Sequence, residues 1–314
     1  MKVVVTDCTF ESFAHEQAMC DRNGYELAIH QCLGEQELID AAADADALFV
    51  QYAQITDKVM ANLKRCKVIV RYGIGVDSID LDSAQKHGIA VCNVPDYGIS
   101  EVAEHAASLA LSLGRHLPWW DQQIRAGNWP ASTATALHSY SQMTVAIVGA
   151  GRIGKALIER LRPFGFSFIA YDPFIEAAEL AALGISKVTL DEAFVQGDIV
   201  SLHLPLTPDT EHLVNLQRLQ QMKSSAVLIN TSRGALVDTH ALAQALKHGS
   251  IAFAGIDVFE QEPLAENHPL YACDRAFLSP HIAYYSLESV ARLQQYAAEE
   301  VERALSNYPL RCPV

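Results

Sequence analysis

Long uncharged runs are missing from this 314-residue sequence. No stretch approaches the roughly 18 apolar residues that a membrane-crossing helix needs. The valines at residues 3–5 are followed at once by Thr6 and Asp7, so the run is too short for a signal-peptide core. It reads instead as a buried strand, and no membrane partner is expected. Basic charge is also scarce. Lys and Arg number 23 against 37 Asp and Glu, a formal net charge of −14. Nucleic acids and anionic membrane surfaces attract clustered cations, so neither is an expected partner. A small anion held by one or two local arginines stays compatible with that balance. Cysteine pairs are lacking as well. Cys8, Cys20, Cys32, Cys66, Cys92, Cys273 and Cys312 are odd in number and scattered. Neither a disulfide framework nor a metal site is expected, and a cytoplasmic location fits.

What the sequence does have is ordinary globular composition, 50% hydrophobic and 19% charged. A chain of this length suggests two domains, with one large α/β barrel as the alternative. Apolar runs alternate with amphipathic stretches throughout. Strands are predicted over residues 3–6, 25–29, 47–50, 67–71 and 90–92, with helices at 35–42 and 80–87. A second series follows from residue 144: strands at 144–148, 167–171, 199–203, 226–230 and 253–256, helices at 155–161, 191–195 and 239–247. Alternation of this kind implies βαβ units and parallel sheets, so two such blocks share the chain.

Between the blocks, residues 100–115 predict a strong helix with Ser100 as its N-cap and Val102, Ala106, Leu109 and Leu113 as its apolar stripe. Residues 128–141 then read as an irregular crossing. A last long helix is predicted over residues 286–306. It follows the final strand with no strand after it, so it is free to return to the first block and make that domain discontinuous.

The second block opens with Gly149, Gly151 and Gly154 in a G-x-G-x-x-G pattern, after a strand and before a helix. The first glycine permits a tight turn, the second a close approach to a pyrophosphate, and the third close packing of helix on strand. The helix N-terminus directs free N–H groups at the phosphates. Asp172 ends the next strand, where a carboxylate accepts from ribose hydroxyls and repels a 2′-phosphate. The reading is NAD rather than NADP. Arg233, Glu262 and His281 stand in later loops at strand ends. Arginine grips carboxylates bidentately, and histidine trades protons near neutral pH beside an orienting carboxylate. Those are the parts needed to reduce a 2-keto acid.

On these motifs, together with residues 201–207, 230–234, 257–263 and 280–281, the chain resembles the D-isomer-specific 2-hydroxyacid dehydrogenases over nearly its full length. Residues 70–77, 91–97 and 280–286 look narrower still, like the C-terminal-binding-protein-like branch, although that branch often has tryptophan where Tyr284 stands.

The resemblance implies an α/β fold of two doubly wound parallel-sheet domains. A Rossmann NAD domain, residues 99–284, would be inserted in a flavodoxin-like substrate domain made of residues 1–98 and 285–314. It implies that Arg233 grips the substrate carboxylate, that His281 is the acid/base, and that Glu262 orients it and favours its charged form. It further implies NAD contacts from Gly149, Gly151, Arg152, Ile153, Gly154, Asp172, His203, Leu204, Pro205, Thr210, Thr231, Ser232, Asp257, His281 and Ala283, with Asp257 holding the carboxamide. Arg71, Ile74, Gly75, Arg233 and Tyr284 would face the substrate. Tyr52, Tyr72 and Tyr97 are further candidates for the pocket wall, or for the core.

The expected activity is reversible hydride transfer between NADH and a 2-keto acid, in a homodimer. Trp119, Trp120 and Trp129 are candidates for the dimer interface or for core packing. Alternatives are an NAD(H)-binding corepressor-like module and a phosphite dehydrogenase on the same fold. Glu262 stands where formate dehydrogenases carry glutamine, which disfavours that activity. The last helix ends near the last residue, so no regulatory C-terminal domain is expected.

Overall fold

The computed structural model describes residues 1–129 and 137–314. The crossing expected over residues 128–141 therefore lies in part outside the described residues. The chain divides into two compact units, residues 1–98 with 286–314, and residues 99–285.

The first unit is built on β1 (Lys2–Val5), β2 (Glu26–Ile29), β3 (Ala47–Val50), β4 (Val68–Arg71) and β5 (Ala90–Cys92). Their order is β2-β1-β3-β4-β5, and every pairing is parallel. Val3, Val4 and Val5 are all buried, as are all four residues of β3. Parallel strands are covered on both faces, so they read as continuous apolar runs. The helix Leu287–Leu305 comes from the far end of the chain. It packs on β4, on β3 and on the helix Ala14–Asn23. Leu293, Ala297, Val301 and Leu305 form its buried stripe, and the Ser286 hydroxyl caps its first turn by accepting from Ser289 N–H. The last residues return to the sheet: Pro313 bridges Cys92 in antiparallel sense, and Val314 N–H donates to Val91 at 2.9 Å.

The second unit contains β6 (Thr144–Val148), β7 (Ser167–Tyr171), β8 (Ser186–Lys187), β9 (Ile199–Leu202), β10 (Val227–Asn230), β11 (Phe253–Ile256) and β12 (Ala276–Leu278). The order is β12-β11-β10-β9-β6-β7-β8, again parallel throughout. The strand order reverses between β6 and β9, which makes this the switch point where ligands bind in open α/β sheets. Because the strands are parallel, all their carboxyl ends share one edge.

Sequence periodicity missed β8 and β12. The first has two residues, and the second is a three-residue edge strand with no fully buried position. The helix Ile99–Gly114 also differs from expectation. It begins before Ser100, so that residue lies inside the first turn and does not cap it. Its hydroxyl accepts from Arg160 at 3.0 Å instead. Among the described residues no helix is long and apolar enough to cross a membrane.

Candidate active site

The carboxyl edge of the second sheet carries the chemistry-bearing residues of that unit. After β6 the chain turns at Gly149, whose φ is +99°. A Cβ there would lie 2.5 Å from the His203 carbonyl oxygen, so only glycine lets the ends of β6 and β9 approach so closely. A Cβ on Gly154 would lie 2.3 Å from the Gly149 carbonyl oxygen, which fixes the helix Arg152–Leu161 against the turn. Gly151 is different, because a Cβ there would meet nothing within 4 Å. The space in front of Gly151 is open, and the ten-residue helix begins there with no side-chain cap. Its first N–H groups and its positive dipole end suit an anion. Arg152 is exposed and Ile153 half-buried at the same end.

Asp172 stands at the end of β7, 7% exposed. Its Oδ2 accepts from Ala150 N–H and its Oδ1 from Phe174 N–H, each at 2.9 Å. The carboxylate therefore braces the glycine turn, a role the sequence pattern did not disclose.

Two buried polar atoms nearby have no partner: Thr231 Oγ1 and His203 Nδ1. His203 Nε2 pairs with Ser201 Oγ at 2.9 Å, and burial pushes the imidazole down to about 4, so it is neutral at pH 7. Unsatisfied buried groups are rare and expensive. His203 abuts Gly149 and Thr231 follows β10, one strand further along the same edge, and a dinucleotide with hydroxyl and amide groups would satisfy both. Thr210 Oγ1 donates to the Pro205 carbonyl at 2.8 Å and so folds the loop after Leu204. Ser232 Oγ donates to the Leu202 carbonyl at 2.7 Å.

The loops after β10, β11 and β12 bring three polar residues into relation. His281 Nδ1 lies 2.7 Å from Glu262 Oε2, and Glu262 Oε1 accepts from Phe259 N–H at 2.9 Å. Burial pushes the Glu262 carboxyl up. The hydrogen bonds from His281 and Phe259 and the charges of His281 and Arg233 outweigh it, so the group is held below the usual carboxylate range. Arg233 precedes Gly234, whose main chain abuts that of Phe259 on the Glu262 loop. Arg233 Nη1 donates to the Ser232 carbonyl at 2.7 Å. The turn that presents Arg233 is clamped by the buried Asn230, whose Nδ2 donates to the Arg233 carbonyl at 2.8 Å and whose Oδ1 accepts from Ser232 N–H. Tyr284 stands edge-on to His281, with ring centroids 6.3 Å apart.

Asp257 follows the last residue of β11. Its residue surface is 0% exposed, and its carboxylate turns to the His281 loop. Oδ1 accepts from Ser279 Oγ and from Ile282 N–H, and Oδ2 from Ala283 N–H. Ala283 is buried too, with its amide spent on this bond. The carboxylate thus holds loop amides and a hydroxyl, and its two oxygens keep acceptor capacity beyond these three bonds.

In the first unit, Arg71 ends β4 and its guanidinium lies over Gly73, where a Cβ would be 1.4 Å from Nη1. Ile74 and Gly75 follow in the same half-buried loop, and Asn93 Nδ2 donates to the Ile74 carbonyl at 2.6 Å. Tyr72 and Tyr97 are buried, and Tyr72 OH donates to the buried Glu16, so both belong to the core; Tyr52 is half exposed.

The family profile described as D-isomer specific 2-hydroxyacid dehydrogenase, NAD binding domain, matches residues 107–283. The chain belongs to that family. Its D-2-hydroxyacid dehydrogenase relatives include the glyoxylate reductase of Thermofilum pendens, 40% identical over 276 residues, covering 85% of this chain and 80% of that one. The D-3-phosphoglycerate dehydrogenase of Mycobacterium tuberculosis is 36% identical over 271 residues, covering 86% of this chain and 51% of that one. The chain thus spans about half the length of the D-3-phosphoglycerate dehydrogenases it matches. Among solved structures, the D-lactate dehydrogenase of Aquifex aeolicus, complexed with NAD and lactic acid, superimposes with a TM-score of 0.86 at 28% identity, over 97% of this chain and 96% of that one. The open space at Gly151 and the two orphaned atoms along the same sheet edge fit the NAD of this family's NAD binding domain.

Proposed function

We propose that the protein interconverts a 2-keto acid and a D-2-hydroxy acid with NAD(H) as the redox partner. One observation carries the reading. The His281–Glu262 pair, with the Arg233 loop packed main chain to main chain on the Glu262 loop, stands at the sheet edge that also carries the glycine turn. When bound, NADH supplies the hydride.

The chain's own residues do the rest. The amides at the start of the helix Arg152–Leu161 hold the pyrophosphate, and Asp172 favours ribose hydroxyls over a 2′-phosphate. Thr231 Oγ1 and His203 Nδ1 gain the partners they lack. Arg233 binds the substrate carboxylate bidentately. Glu262 fixes the His281 ring through Nδ1, which leaves Nε2 to give a proton to the carbonyl oxygen. In the reverse direction Nε2 takes that proton back. Arg233 and protonated His281 both oppose the negative charge that develops on that oxygen, so their effect is greatest in the transition state. Arg71 adds to binding of the substrate anion, with Ile74 and Gly75 beside it in sequence. Residues 1–98 and 285–314 form the substrate domain in this reading.

A homodimer belongs to the same reading. The helix Leu117–Arg125 buries none of its residues fully, although it carries Leu117, Trp119, Trp120 and Ile124, and Trp129 beyond it is 87% exposed. A second copy of the chain would cover that face. Light scattering of the purified protein tests this, and a monomeric mass at micromolar concentration would refute it. The cytoplasm is the proposed location, where the seven free thiols stay reduced.

The activity is tested by a panel of 2-keto acids, glyoxylate, hydroxypyruvate and larger aliphatic and aromatic ones, with NADH and NADPH in parallel. Turnover with at least one acid and a preference for NADH are expected. Tight NADH binding without turnover of any acid would favour a binding module instead.

A further inference from the structure

His281 occupies a left-handed conformation, with φ of +51°. Residues other than glycine adopt it at a cost, and they keep it only when the surroundings over-determine it. The surroundings here can be traced atom by atom. His281 N–H donates to the Asp257 carbonyl at 2.7 Å. The next two amides, Ile282 and Ala283, donate to the Asp257 carboxylate at 3.0 and 2.9 Å. Ser279 N–H donates to the Ile256 carbonyl at 3.0 Å, and Ser279 Oγ to Asp257 Oδ1 at 2.5 Å. One wholly buried carboxylate therefore gathers both sides of the His281 turn.

A buried carboxylate needs compensation for lost hydration. His105 Nε2 lies 3.1 Å from Ser279 Oγ and 3.8 Å from Asp257 Oδ1. The proton directions follow from what each group can do. An ionised Asp257 only accepts, and the single Ser279 hydroxyl proton then points to it. Ser279 Oγ can then only accept from His105, so His105 carries its proton on Nε2. The relay runs His105 Nε2–H to Ser279 O–H to Asp257. His105 sits on the helix Ile99–Gly114, whose Leu109 and Leu113 pack against Gly255 of β11. The relay thus ties the His281 loop to a rigid element of the core.

We infer that His105 and Ser279 are positioning residues, which act through Asp257 to hold His281 where its Nδ1 meets Glu262 and its Nε2 meets substrate. The inference rests on the proposed dehydrogenase reading for its kinetic consequences, but not for its structural ones.

The test uses the whole chain labelled with ¹⁵N-histidine, with the His281 ring signals assigned by their loss in His281→Asn. Ser279→Ala is expected to move or broaden those signals in the protein without cofactor. It should also lower kcat by about 10- to 100-fold, the usual consequence of misplacing a reacting group. Ser279→Thr keeps the hydroxyl and should restore both readouts. Should Ser279→Ala not fold, His105→Phe, which leaves the Ser279–Asp257 bond in place, is expected to shift the same signals in the same direction. Unchanged His281 signals and unchanged kcat in Ser279→Ala and His105→Phe would overturn the inference. If the wild type turns over no 2-keto acid, the proposed activity fails, and the His281 signals alone decide the positioning.

Discussion

A methyl group on Gly234 would sit 1.9 Å from the carbonyl carbon of Phe259. The loop after β10 and the loop after β11 therefore touch main chain to main chain. One presents Arg233 and the other presents Glu262, which Phe259 N–H holds by Oε1. The relative placement of the guanidinium and the Glu262–His281 pair is set by backbone contact, which no side-chain rotation can relax. Gly234→Ala is expected to lower stability by about 1–3 kcal/mol, as overpacking usually does. It should also depress kcat more than the loss of folded protein explains. Denaturant unfolding alongside kcat per folded molecule checks both, and a variant with wild-type stability would contradict the contact.

Replacing the proton donor isolates the chemical step. His281→Asn should lower kcat by roughly 10²–10⁴, the usual share of general acid–base catalysis, while NADH still binds. Fluorescence titration with NADH and steady-state turnover provide the two measurements. Undiminished turnover would remove His281 from the mechanism.

Glu262 gives a pH signature in stability. Its carboxyl is held below the usual range, because the His281 and Phe259 hydrogen bonds and the nearby positive charges outweigh burial. A depressed carboxyl favours the folded state above its ordinary value of about 4.5 and loses that contribution as pH falls through the lowered value. The stability difference between wild type and Glu262→Gln should thus be constant from neutral pH down to that ordinary value and shrink below it. Urea unfolding across that window measures it, and a difference that grows on acidification would refute the assignment.

His203 has the opposite chemistry and the same sign. Burial pushes its imidazole down to about 4, so the folded state resists protonation that the unfolded chain accepts near 6.5. Its contribution is complete above pH 6.5 and is lost progressively between there and about pH 4. His203→Asn should flatten the fall in stability across that interval. An equally steep fall in the variant would show that the histidine titrates normally.

Asp172 serves both the turn and the ribose, so its replacement should have two effects. Asp172→Ser is expected to weaken NADH binding, because the Ala150 and Phe174 amides lose their acceptor. It is also expected to narrow the preference for NADH over NADPH, because the repulsion of a 2′-phosphate is gone. Ratios of kcat/KM for the two cofactors test the second effect. A wild type that already preferred NADPH would refute it.

Much of the architecture was legible because main-chain demands leave local marks. The strands at 47–50, 90–92, 144–148, 167–171 and 253–256 read at their observed bounds, since β-branched and apolar runs bounded by turn residues have one compact solution. The glycine turn was readable for the same reason: Gly149 and Gly154 stand where a Cβ cannot. The helix Ala14–Asn23 was not seen, because its buried face includes Glu16, a carboxylate that no hydrophobic pattern reveals. The helix Leu117–Arg125 buries nothing fully, so it has no stripe to read. Within the candidate site, Arg233, Glu262 and His281 stood out by residue type at strand ends, and the family resemblance supplied the roles proposed for them. The grip of Asp257 on the His281 loop was not legible, since motif position says nothing of where a carboxylate turns. His105 went unnoticed. It looks like one polar residue on an apolar helix, and its partner Ser279 is 174 residues away.

The return of residues 313–314 to β5 has a consequence for association. Edge strands present unpaired N–H and C=O groups that invite another chain to join. In the first unit, β5 would be such an edge, but Pro313 and Val314 lie along it and engage Cys92 and Val91. Arg311 fastens that segment from outside, pairing with Asp96 at 2.9 Å and lying over the Tyr296 ring. These residues thus work as a sealing strip. Deleting residues 313–314 would open a sheet margin to strand-by-strand stacking, while the Arg311 and Cys312 amides keep their hold on the buried Glu300 carboxylate.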